Sequence, residues 1–490
     1  MEYLVAVSTY TNTKILAHTP KGEESRCGIE CLWLDAATGV LRPACGVDIQ
    51  PNPAFIVQHP HNEGVVYATT ERIDENGAVH SLRLTRREDG GLELRAVDET
   101  SAKGKSTCYV GVDRTGRWLR VTNYWDATVA VCPIDGARLG DICDVHALPP
   151  CAVQPTFGKR CERGADYCET HKPTREEHWA FRQRWPHAHC VVTEPYDEQV
   201  HFVVDLGEDA IYHYGFDAAL GQMLCRGATQ LARGGGPRHL VFHARRRAAF
   251  VVNELVSTVS AFKLQGDGGG DACRQTTDAG AVLRLADTCT TLPAGFDNAH
   301  RVCPVRGIWT AESHAGEIRI DGDWLFVANR GHNSIAVFKI SFDAADEPAL
   351  SLVSVTGTLG KCPRNFAVIG DHVIVGNQDS NELRVFGRCY ETGALRPRSV
   401  FQIASPNFVT VLTPPKHFDG HTVAVEHHAA PAAAFAEARP LAEIFCQPPD
   451  FAKHARPQEA APPAASGNAR ALVALFGIGA VAIAAVAIMG

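Results

Sequence analysis

A β-rich unit recurs seven times along this chain of 490 residues, and the repeat limits the possible folds more than any other feature. Each copy has an apolar run, a turn that usually contains Asn or Asp, a second apolar run and a polar turn. Asp205 and Asn253 occupy equivalent places 48 residues apart, as do Asn329 and Asn377. A period of this length is typical of β-propeller blades, which have four short strands each. The repeat therefore predicts an all-β, seven-bladed β-propeller. The copies begin at Tyr3, Val65, Trp118, Phe202, Phe250, Trp324 and Val373.

A propeller must close into a ring, and the last strand-like segment offers a way to do so. We expect residues 405–412, SerProAsnPheValThrValLeu, to return and pair within the blade begun by the amino-terminal strands. This pairing removes both exposed sheet edges. Insertions at residues 145–184 and 266–306 lengthen the spacing between copies and are expected to be surface loops. An all-β sandwich or two separate β domains would need fewer than seven copies.

Composition excludes several classes of protein. The chain has 47 Lys and Arg against 55 Asp and Glu, a net charge of −8, which does not favour binding to nucleic acid. Its 17 cysteines are an odd number without a CxxC pair, so neither a zinc ribbon nor a disulfide framework is expected, and the compartment is expected to be reducing. The pair Cys27 and Cys31 and the Cys- and His-rich insertion match no tight ligand pattern. We expect neither a metal nor another cofactor.

The carboxyl-terminal part of the chain has a different composition. Residues 471–489 contain no charged side chain and are long enough to cross a hydrocarbon core about 30 Å thick. The Ala- and Pro-rich residues 416–470 before them are expected to be a disordered linker, which leaves residues 1–415 for the propeller. The amino terminus has no secretory signal pattern. We therefore expect a tail-anchored protein whose propeller faces the cytosol, with the target membrane left open. A lipid-anchor signal is the less favoured alternative because its polar spacer would be too short.

Polar side chains that interrupt an apolar strand pattern are the first candidates for chemistry, because a propeller places its binding groups at one mouth of its channel. His187 and His189, in TrpProHisAlaHisCys, are expected on one face of a strand because side chains alternate along it. Arg238 follows a Gly-rich turn at the start of a strand. Arg364, in CysProArgAsn, occupies the corresponding place two blades later.

Two further charged residues follow the same logic. Glu254 stands in PheValValAsnGluLeu, where the pattern favours an apolar side chain, and Arg330 ends TrpLeuPheValAlaAsnArg. A structural role is the alternative for several of these groups. Glu254 could form a buried ion pair with Arg238 or Arg330 that joins neighbouring blades. Arg364 could form a salt bridge between blades, and His187 could be a hydrogen-bonded structural residue.

An ordered series of motifs resembles the seven-bladed propeller lactonases, a family that includes bacterial-type 6-phosphogluconolactonases and fungal carboxymuconate-lactonizing enzymes. The series consists of ProHisAlaHis, GlyProArgHisLeuValPheHis, AsnGluLeu, AsnArgGlyHisAsnSerIleAlaValPhe and ProArgAsnPhe. AsnProAlaPheIle at Asn52 and AspLeuGlyGluAsp at Asp205 add to it. The resemblance extends over about residues 3–412, and the series is more specific than any single motif in it.

The resemblance implies an active centre with four residues, which are His189, Arg238, Glu254 and Arg330 in this chain. His187, from the same ProHisAlaHis segment, is expected to bind substrate. Two segments depart from the family pattern. AsnTyrTrpAspAlaThr replaces the usual AsnTyr followed by Gly-Ser, and the segment before it lacks the expected Pro and His. These departures bear on which substrate is accepted.

The residue types suit hydrolysis of a lactone, which needs a positioned water, a base for its proton and donors for the developing oxyanion. Either Glu254 or His189 could be the base. Arg238 and Arg330 are expected to stabilise the oxyanion or hold an anionic substrate, and Arg364 is expected to bind a phosphate or carboxylate group. No metal is required.

Three functions fit these expectations. The favoured one is hydrolysis of 6-phosphogluconolactone, or a related sugar lactone, in the pentose phosphate pathway. The second keeps the same site but cyclises a carboxylated diene acid into a lactone. The third is a non-catalytic, membrane-tethered scaffold, since a propeller fold does not fix function. A small anionic lactone is the expected partner of the first, whereas protein partners stay open.

Overall fold

The computed structural model describes residues 1–148, 182–183, 185–265, 282–298, 301–302, 309–416 and 439–440, the short ranges 301–302, 309–310 and 439–440 by their backbone only. Most of both expected insertions, and with it the Cys- and His-rich segment, lies outside these ranges. So do nearly all of the expected linker and the apolar residues 471–489. Within the described ranges, no helix is long and apolar enough to span a membrane.

The described residues are almost entirely strands and turns, as the repeat predicts. Two short 3₁₀ helices occur at Thr13–Ile15 and Gln378–Ser380. The strands of the first half are β1 (Glu2–Thr9), β2 (Ile29–Asp35), β3 (Leu41–Val47), β4 (Pro53–Gln58), β5 (Val65–Thr70), β6 (Ala78–Arg86), β7 (Leu92–Ser101), β8 (Thr107–Val112), β9 (Trp118–Asn123), β10 (Thr128–Asp135), β11 (Arg138–Leu139), β12 (Asp144–Ala147), β13 (Ala188–Thr193), β14 (His201–Asp205), β15 (Ala210–Asp217) and β16 (Gln222–Gln230). Those of the second half are β17 (Pro237–Phe242), β18 (Ala248–Asn253), β19 (Thr258–Leu264), β20 (Leu283–Thr290), β21 (Arg301–Val302), β22 (Trp309–Thr310), β23 (His314–Asp321), β24 (Trp324–Arg330), β25 (Ser334–Phe342), β26 (Pro348–Gly357), β27 (Pro363–Ile369), β28 (His372–Asn377), β29 (Glu382–Arg388), β30 (Leu395–Gln402), β31 (Pro406–Leu412) and β32 (Arg439–Pro440).

These strands form seven antiparallel blades. Blades 1 to 6 follow the chain and contain β4–β7, β8–β12, β13–β16, β17–β20, β23–β26 and β27–β30, with β32 added at the outer edge of blade 6. The closing blade has the order β3-β2-β1-β31. The short hairpin of β21 and β22 stands apart from the blades.

The ring closes as the sequence predicts. Strand β31 pairs antiparallel with β1, from Leu4 opposite Leu412 to Ser8 opposite Phe408. The innermost strands β4, β8, β13, β17, β23, β27 and β31 each contact the next, and β31 contacts β4. Sheet edges therefore remain only at the outer rim, and the inner strands surround a central channel.

The core lies between blades, which explains why the inner and middle strands are buried on both faces instead of alternating. Phe326 and Val337 of blade 5 pack against Phe366, Val373 and their neighbours of blade 6. Along the outermost strands, buried and exposed residues alternate more. The first three residues of β26 are buried, exposed and buried. Burying each large apolar side chain contributes about 1.5–3 kcal/mol.

The recurring Asn of the repeat has a structural role. It ends the second strand of a blade, and at three positions it reaches the end of the preceding blade. The side-chain amides of Asn123, Asn329 and Asn377 donate to the carbonyl oxygens of Ala102, Thr291 and Thr358 at 3.0, 2.8 and 3.2 Å. These acceptors directly follow the outermost strands β7, β20 and β26. At these three positions the recurring Asn links consecutive blades, whereas the amide of Asn253 donates to Thr258 and Ser260 within its own blade.

Candidate active site

A β-bulge near the start of each inner strand brings polar side chains into the channel. In β13 the register shifts between Ala188 and Cys190, so His189 is the extra residue. Similar shifts make Arg364 the extra residue of β27 and Cys108 that of β8. In β17 the shift covers Arg238 together with His239. Because a bulge redirects the side chains at its position, it explains how a strand delivers a charged residue to the channel.

A second set of candidates comes from the end of the second strand of each blade. Since the first two strands are antiparallel, this end lies beside the bulge of the inner strand. Glu254 directly follows β18, and Arg330 is the last residue of β24. Glu71 and Tyr124 occupy the corresponding place after β5 and β9. We call this end of the channel the site mouth, and the other end the opposite mouth.

Glu254 lies at the centre of three guanidinium groups at the site mouth. Its Oε2 is 2.8 Å from Arg330 Nη2 and 3.2 Å from Arg238 Nε, and its Oε1 is 3.2 Å from Arg182 Nη2. The carboxylate is only 3 % exposed. Within the described residues one carboxylate thus contacts three guanidinium groups, which are donors suited to an anionic ligand.

The arginines fix the charge state of Glu254. Burial favours the neutral acid, but Arg330, followed by Arg182 and Arg238, outweighs burial and holds the pKa of Glu254 well below 4.5. The carboxylate is therefore charged at neutral pH and binds a proton poorly.

Arg238 and Arg330 are also fixed by the backbone of β23. Arg238 Nη1 donates to the carbonyl oxygen of Gly316 at 2.8 Å, and Arg330 Nη2 donates to that of Ala315 at 3.0 Å. A Cβ on Gly316 would lie 3.0 Å from Arg330 Nε, so the glycine leaves room for the guanidinium. Burial and then Arg330 lower the pKa of Arg238 to about 10, so this guanidinium remains cationic at neutral pH.

His189 is a buried imidazole beside this cluster. Its ring contacts Tyr124 at 5.4 Å and His239 at 5.0 Å between centroids, and its Nδ1 is 3.9 Å from Cys108 Sγ. Burial, and then the charge of Arg238, lowers its pKa well below 6.5. The ring is therefore neutral at pH 7. Burial raises the pKa of Cys108 to about 12, so its thiol stays protonated.

His187 lies against the backbone of the neighbouring blade. Its ring stacks on Tyr124 at 4.3 Å, its Nδ1 donates to the Tyr124 carbonyl at 3.1 Å, and its own N–H donates to Asp205 Oδ1 at 2.7 Å. The side chain is 1 % exposed. These contacts connect it to the structure of the mouth, and its expected role in substrate binding stays a prediction.

Arg364 lies across the mouth, next to a second carboxylate. Its Nη2 is 3.9 Å from Glu71 Oε2, and its guanidinium is 5.5 Å from the ring centre of Tyr10. Glu71 accepts hydrogen bonds from the hydroxyl groups of Tyr10 at 3.1 Å and Ser106 at 2.9 Å. Arg364 also lowers the pKa of Arg238, so the two clusters act on each other electrostatically.

A second network lies just below the mouth. His239 Nδ1 is 3.2 Å from Glu317 Oε2, and the same carboxylate contacts the amide of Asn365 and lies 3.5 Å from Arg319 Nη1. Despite burial, Arg319 and then His239 lower the pKa of Glu317 to about 2. Arg238 Nη1 is 3.2 Å from His239 Nδ1, so this network continues directly from the Glu254 cluster.

The structure brings His189, Arg238, Glu254 and Arg330 together as the motifs imply. Sequence reasoning missed Glu71 and Arg182. Glu71 could have been found by aligning the repeats, because it follows the second strand of its blade as Glu254 does. Arg182 belongs to the expected insertion and carries no repeat signal.

Known proteins have sequences and a fold similar to those of this chain. The family model described as lactonase, 7-bladed beta-propeller matches residues 5–412. A 6-phosphogluconolactonase of Bacillus subtilis is 25 % identical over 348 residues, which are 70 % of this chain and 82 % of that protein. A 6-phosphogluconolactonase of Formosa agariphila is 24 % identical over 377 residues, 75 % of this chain and 90 % of that protein. The solved structure of the Pseudomonas aeruginosa periplasmic gluconolactonase PpgL is similar with a TM-score of 0.65 and 25 % identity, covering 85 % of this chain and all of that one.

Proposed function

Because this chain belongs to the seven-bladed β-propeller lactonase family, we propose that it hydrolyses 6-phosphogluconolactone to 6-phosphogluconate, a step of the pentose phosphate pathway. The family supports lactone hydrolysis as the reaction. The specific substrate is supported by the two relatives named 6-phosphogluconolactonase and by the charged groups of the site.

The observation that carries the proposal is the set of three arginines around one buried carboxylate. Among the described residues of the mouth, Arg238, Arg330 and Arg364 carry three positive charges against the two carboxylates of Glu254 and Glu71. Arg364 lies on the other side of the mouth, opposed by Glu71. A substrate with a phosphate group matches this excess, because guanidinium groups bind phosphate oxygens with paired hydrogen bonds.

In this proposal His189 is the base. Its neutral imidazole takes a proton from water as the water oxygen attacks the lactone carbonyl. The carbonyl oxygen becomes an oxyanion, which Arg238 and Arg330 stabilise. When the intermediate collapses, the bond between the carbonyl carbon and the ring oxygen breaks, and His189 returns its proton to the leaving alkoxide. The product is the open-chain carboxylic acid.

The charge of the substrate supports this role for His189. In the free protein the cationic Arg238 disfavours a proton on the imidazole. A bound phosphate offsets that charge and raises the basicity of His189 at the step in which the imidazole takes a proton from water. Glu254, with its pKa held well below 4.5, serves instead to orient the arginines.

Acid release from freshly generated 6-phosphogluconolactone tests the proposal, with spontaneous hydrolysis subtracted. The matched control substrate is gluconolactone without the phosphate group. We expect kcat/KM to be at least about tenfold higher for the phosphorylated lactone, the effect of one charge-assisted contact. Equal values for the two lactones would contradict the phosphate assignment. No acceleration of either, together with cyclisation of a carboxylated diene acid, would favour the lactonizing reaction.

We further propose that residues 471–489 anchor the protein in a membrane, with the propeller in the cytosol. The support is the sequence of that segment, which has no charged residue. Full-length protein should remain with membranes after an alkaline carbonate wash. The double variant Leu475→Arg and Val481→Arg should be released, because a charged residue at the centre of the span costs about 3 kcal/mol in insertion. Identical fractionation of both proteins would refute the anchor.

A further inference from the structure

A cavity of about 470 Å³ lies at the opposite mouth of the channel. Its walls come from the far ends of the inner strands of blades 1, 2 and 3 and from the closing blade, and they include Val57, Val112, Val192 and Thr410. The residues of the Glu254 cluster do not line it. The volume is that of a typical site for a small molecule.

Arg120 is the unusual group in the wall of this cavity. The residue belongs to β9 and is only 4 % exposed. Its Nε is buried without a hydrogen-bond partner in the part of the chain that the structure describes. Its guanidinium stacks on the ring of Phe216, 4.2 Å from the centroid. A buried guanidinium N–H without an acceptor is costly, because the lost hydration of that group is not replaced.

The other charged groups of the cavity have partners. Arg114 Nε is 2.9 Å from Glu198 Oε1, and Arg319 is 3.5 Å from Glu317. Glu194 accepts hydrogen bonds from the backbone, including that of Tyr196 N–H at 2.7 Å. Arg120 has Asp113 as an acidic neighbour but forms no ion pair within 4 Å among the described residues, so it is the cation of this wall best placed to take an anionic ligand.

The floor of the cavity is aromatic. Phe55 lies 4.2 Å from Tyr109 and 4.0 Å from Phe408 between ring centroids, and all three line the cavity. The valine side chains of the walls extend this apolar surface. A ligand that fills the cavity must therefore combine an apolar body with one anionic group.

We propose that the cavity at the opposite mouth binds a small carboxylate with an apolar, preferably aromatic, body, whose carboxylate is held by Arg120. None of the four residues of the Glu254 cluster lines the cavity, although Arg319 of blade 5 in its wall also contacts Glu317 in the network below the site mouth. Binding in the cavity does not depend on the proposed reaction. The guanidinium of Arg120 supplies the charge, and the rings of Phe55, Tyr109 and Phe408 receive the apolar body.

Titration calorimetry of the full-length protein with benzoate tests the site. Benzamide is the matched neutral probe, because it has the same shape without the charge. We expect benzoate to bind at least about tenfold more tightly than benzamide, and Arg120→Met to abolish this preference. Arg114→Met should change the affinity less than about twofold, because that side chain is exposed and already paired. Arg182→Ala, at the site mouth, should leave benzoate binding unchanged.

Equal affinity for benzoate and benzamide would overturn the proposal. So would loss of binding in Arg182→Ala with full binding in Arg120→Met, because the anion would then occupy the site mouth. Should Arg120→Met fail to fold, crystals of the unaltered protein soaked with 4-bromobenzoate decide the matter. An anomalous bromine peak in the cavity, with the carboxylate at Arg120, supports the site. Bromine peaks only elsewhere refute it.

Discussion

Glu254 is surrounded by three guanidinium groups, and its role follows from that placement. A carboxylate held so strongly in its charged form is a weak base, but it is well suited to fix the direction of the arginines. The buried ion pair that the sequence suggested as an alternative to catalysis is therefore present, with both Arg238 and Arg330. The same pairs also shape a site for an anion, so the structural and the functional interpretation describe one arrangement.

Arg182 provides a test of this charge balance. It is the third guanidinium at Glu254 and also donates to the hydroxyl of Tyr124 at 2.9 Å. Arg182→Ala should raise KM for the phosphorylated lactone about tenfold and change kcat less than about threefold, because it removes ground-state attraction for the substrate. Steady-state kinetics measures both constants. Arg95→Ala, which replaces an exposed side chain on the outermost strand of blade 1, should change neither KM nor kcat. A fall in kcat with unchanged KM would contradict this role.

The protonation of His189 gives a pH dependence with a definite sign. Burial and then Arg238 place its pKa well below 6.5 in the free protein. The profile of kcat/KM reports the free enzyme, so its acidic limb should lie below pH 6.5. The profile of kcat reports the complex, and its limb should lie at higher pH because the bound anion offsets Arg238.

Rates for both the phosphorylated and the neutral lactone across pH 4–8 check this expectation. The neutral lactone separates titration of His189 from that of the phosphate, whose second pKa is about 6. A kcat/KM limb at or above pH 6.5 with the neutral lactone would show that His189 is not the titrating base.

At the scale of strands and turns, the bulges and the Gly-rich turn position the charged residues. Asp209 accepts hydrogen bonds from Gly234 N–H at 2.8 Å and Gly236 N–H at 2.7 Å, which fixes the turn that leads into Arg238. Gly236 has a φ of +61°, and a Cβ there would lie 2.5 Å from Leu255 Cγ. Both the backbone conformation and the space require glycine at this position.

Gly236→Ala should therefore lower the free energy of unfolding by at least about 1 kcal/mol more than Gly322→Ala. Gly322 is a matched control, because its φ is +57° but nothing lies within 4 Å of an added Cβ. The difference between the two variants isolates the clash with Leu255. Urea unfolding followed by tryptophan fluorescence measures it. Equal losses for the two variants would show that the turn adapts without strain.

Much of the strand arrangement could be predicted from the sequence. The repeat predicted seven blades and the closure by β31, because the period and the apolar runs reflect the strands directly. The bulges could not be predicted, because a one-residue register shift leaves no mark in an apolar pattern. The contact of Arg182 with Glu254 joins the connection between blades 2 and 3 to blade 4, and it depends on how an insertion returns to the propeller. All four family-implied residues were visible as polar side chains that interrupt apolar strands. Glu71, which the family resemblance did not imply, was hidden in a weak copy of the repeat.

At the scale of the whole molecule, buried ionisable groups make stability depend on pH. Burial lowers the pKa of several histidines and raises that of two carboxyl groups. The histidines are His189, well below 6.5, His201 and His213, to about 3, and His239, to about 4. The carboxyl groups are Glu30, to about 7, and Asp205, to about 6.

A histidine whose pKa is lowered on folding binds its proton only after unfolding, so acid destabilises the fold between the folded value and about 6.5. The two carboxyl groups act in the opposite direction, because they release their protons on unfolding. The histidines outnumber these two carboxyl groups, and the lowered pKa values of Glu254 and Glu317 act in the same direction as the histidines, so unfolding near pH 5 should take up protons in net. The free energy of unfolding should therefore fall as the pH decreases from 6 to 5. Urea unfolding at several pH values measures this slope, and a flat or rising stability over that interval would contradict it.

The whole account depends on one claim, that the site mouth of this propeller hydrolyses an anionic lactone with His189 as the base. The most direct test is acid release from 6-phosphogluconolactone by the full-length protein and by His189→Asn, whose unfolding transition must match that of the parent. The parent should accelerate hydrolysis above the spontaneous rate, and His189→Asn should lose at least about 100-fold of kcat, the contribution of a general base. Full activity in His189→Asn, or no acceleration by the well-folded parent, would contradict the account.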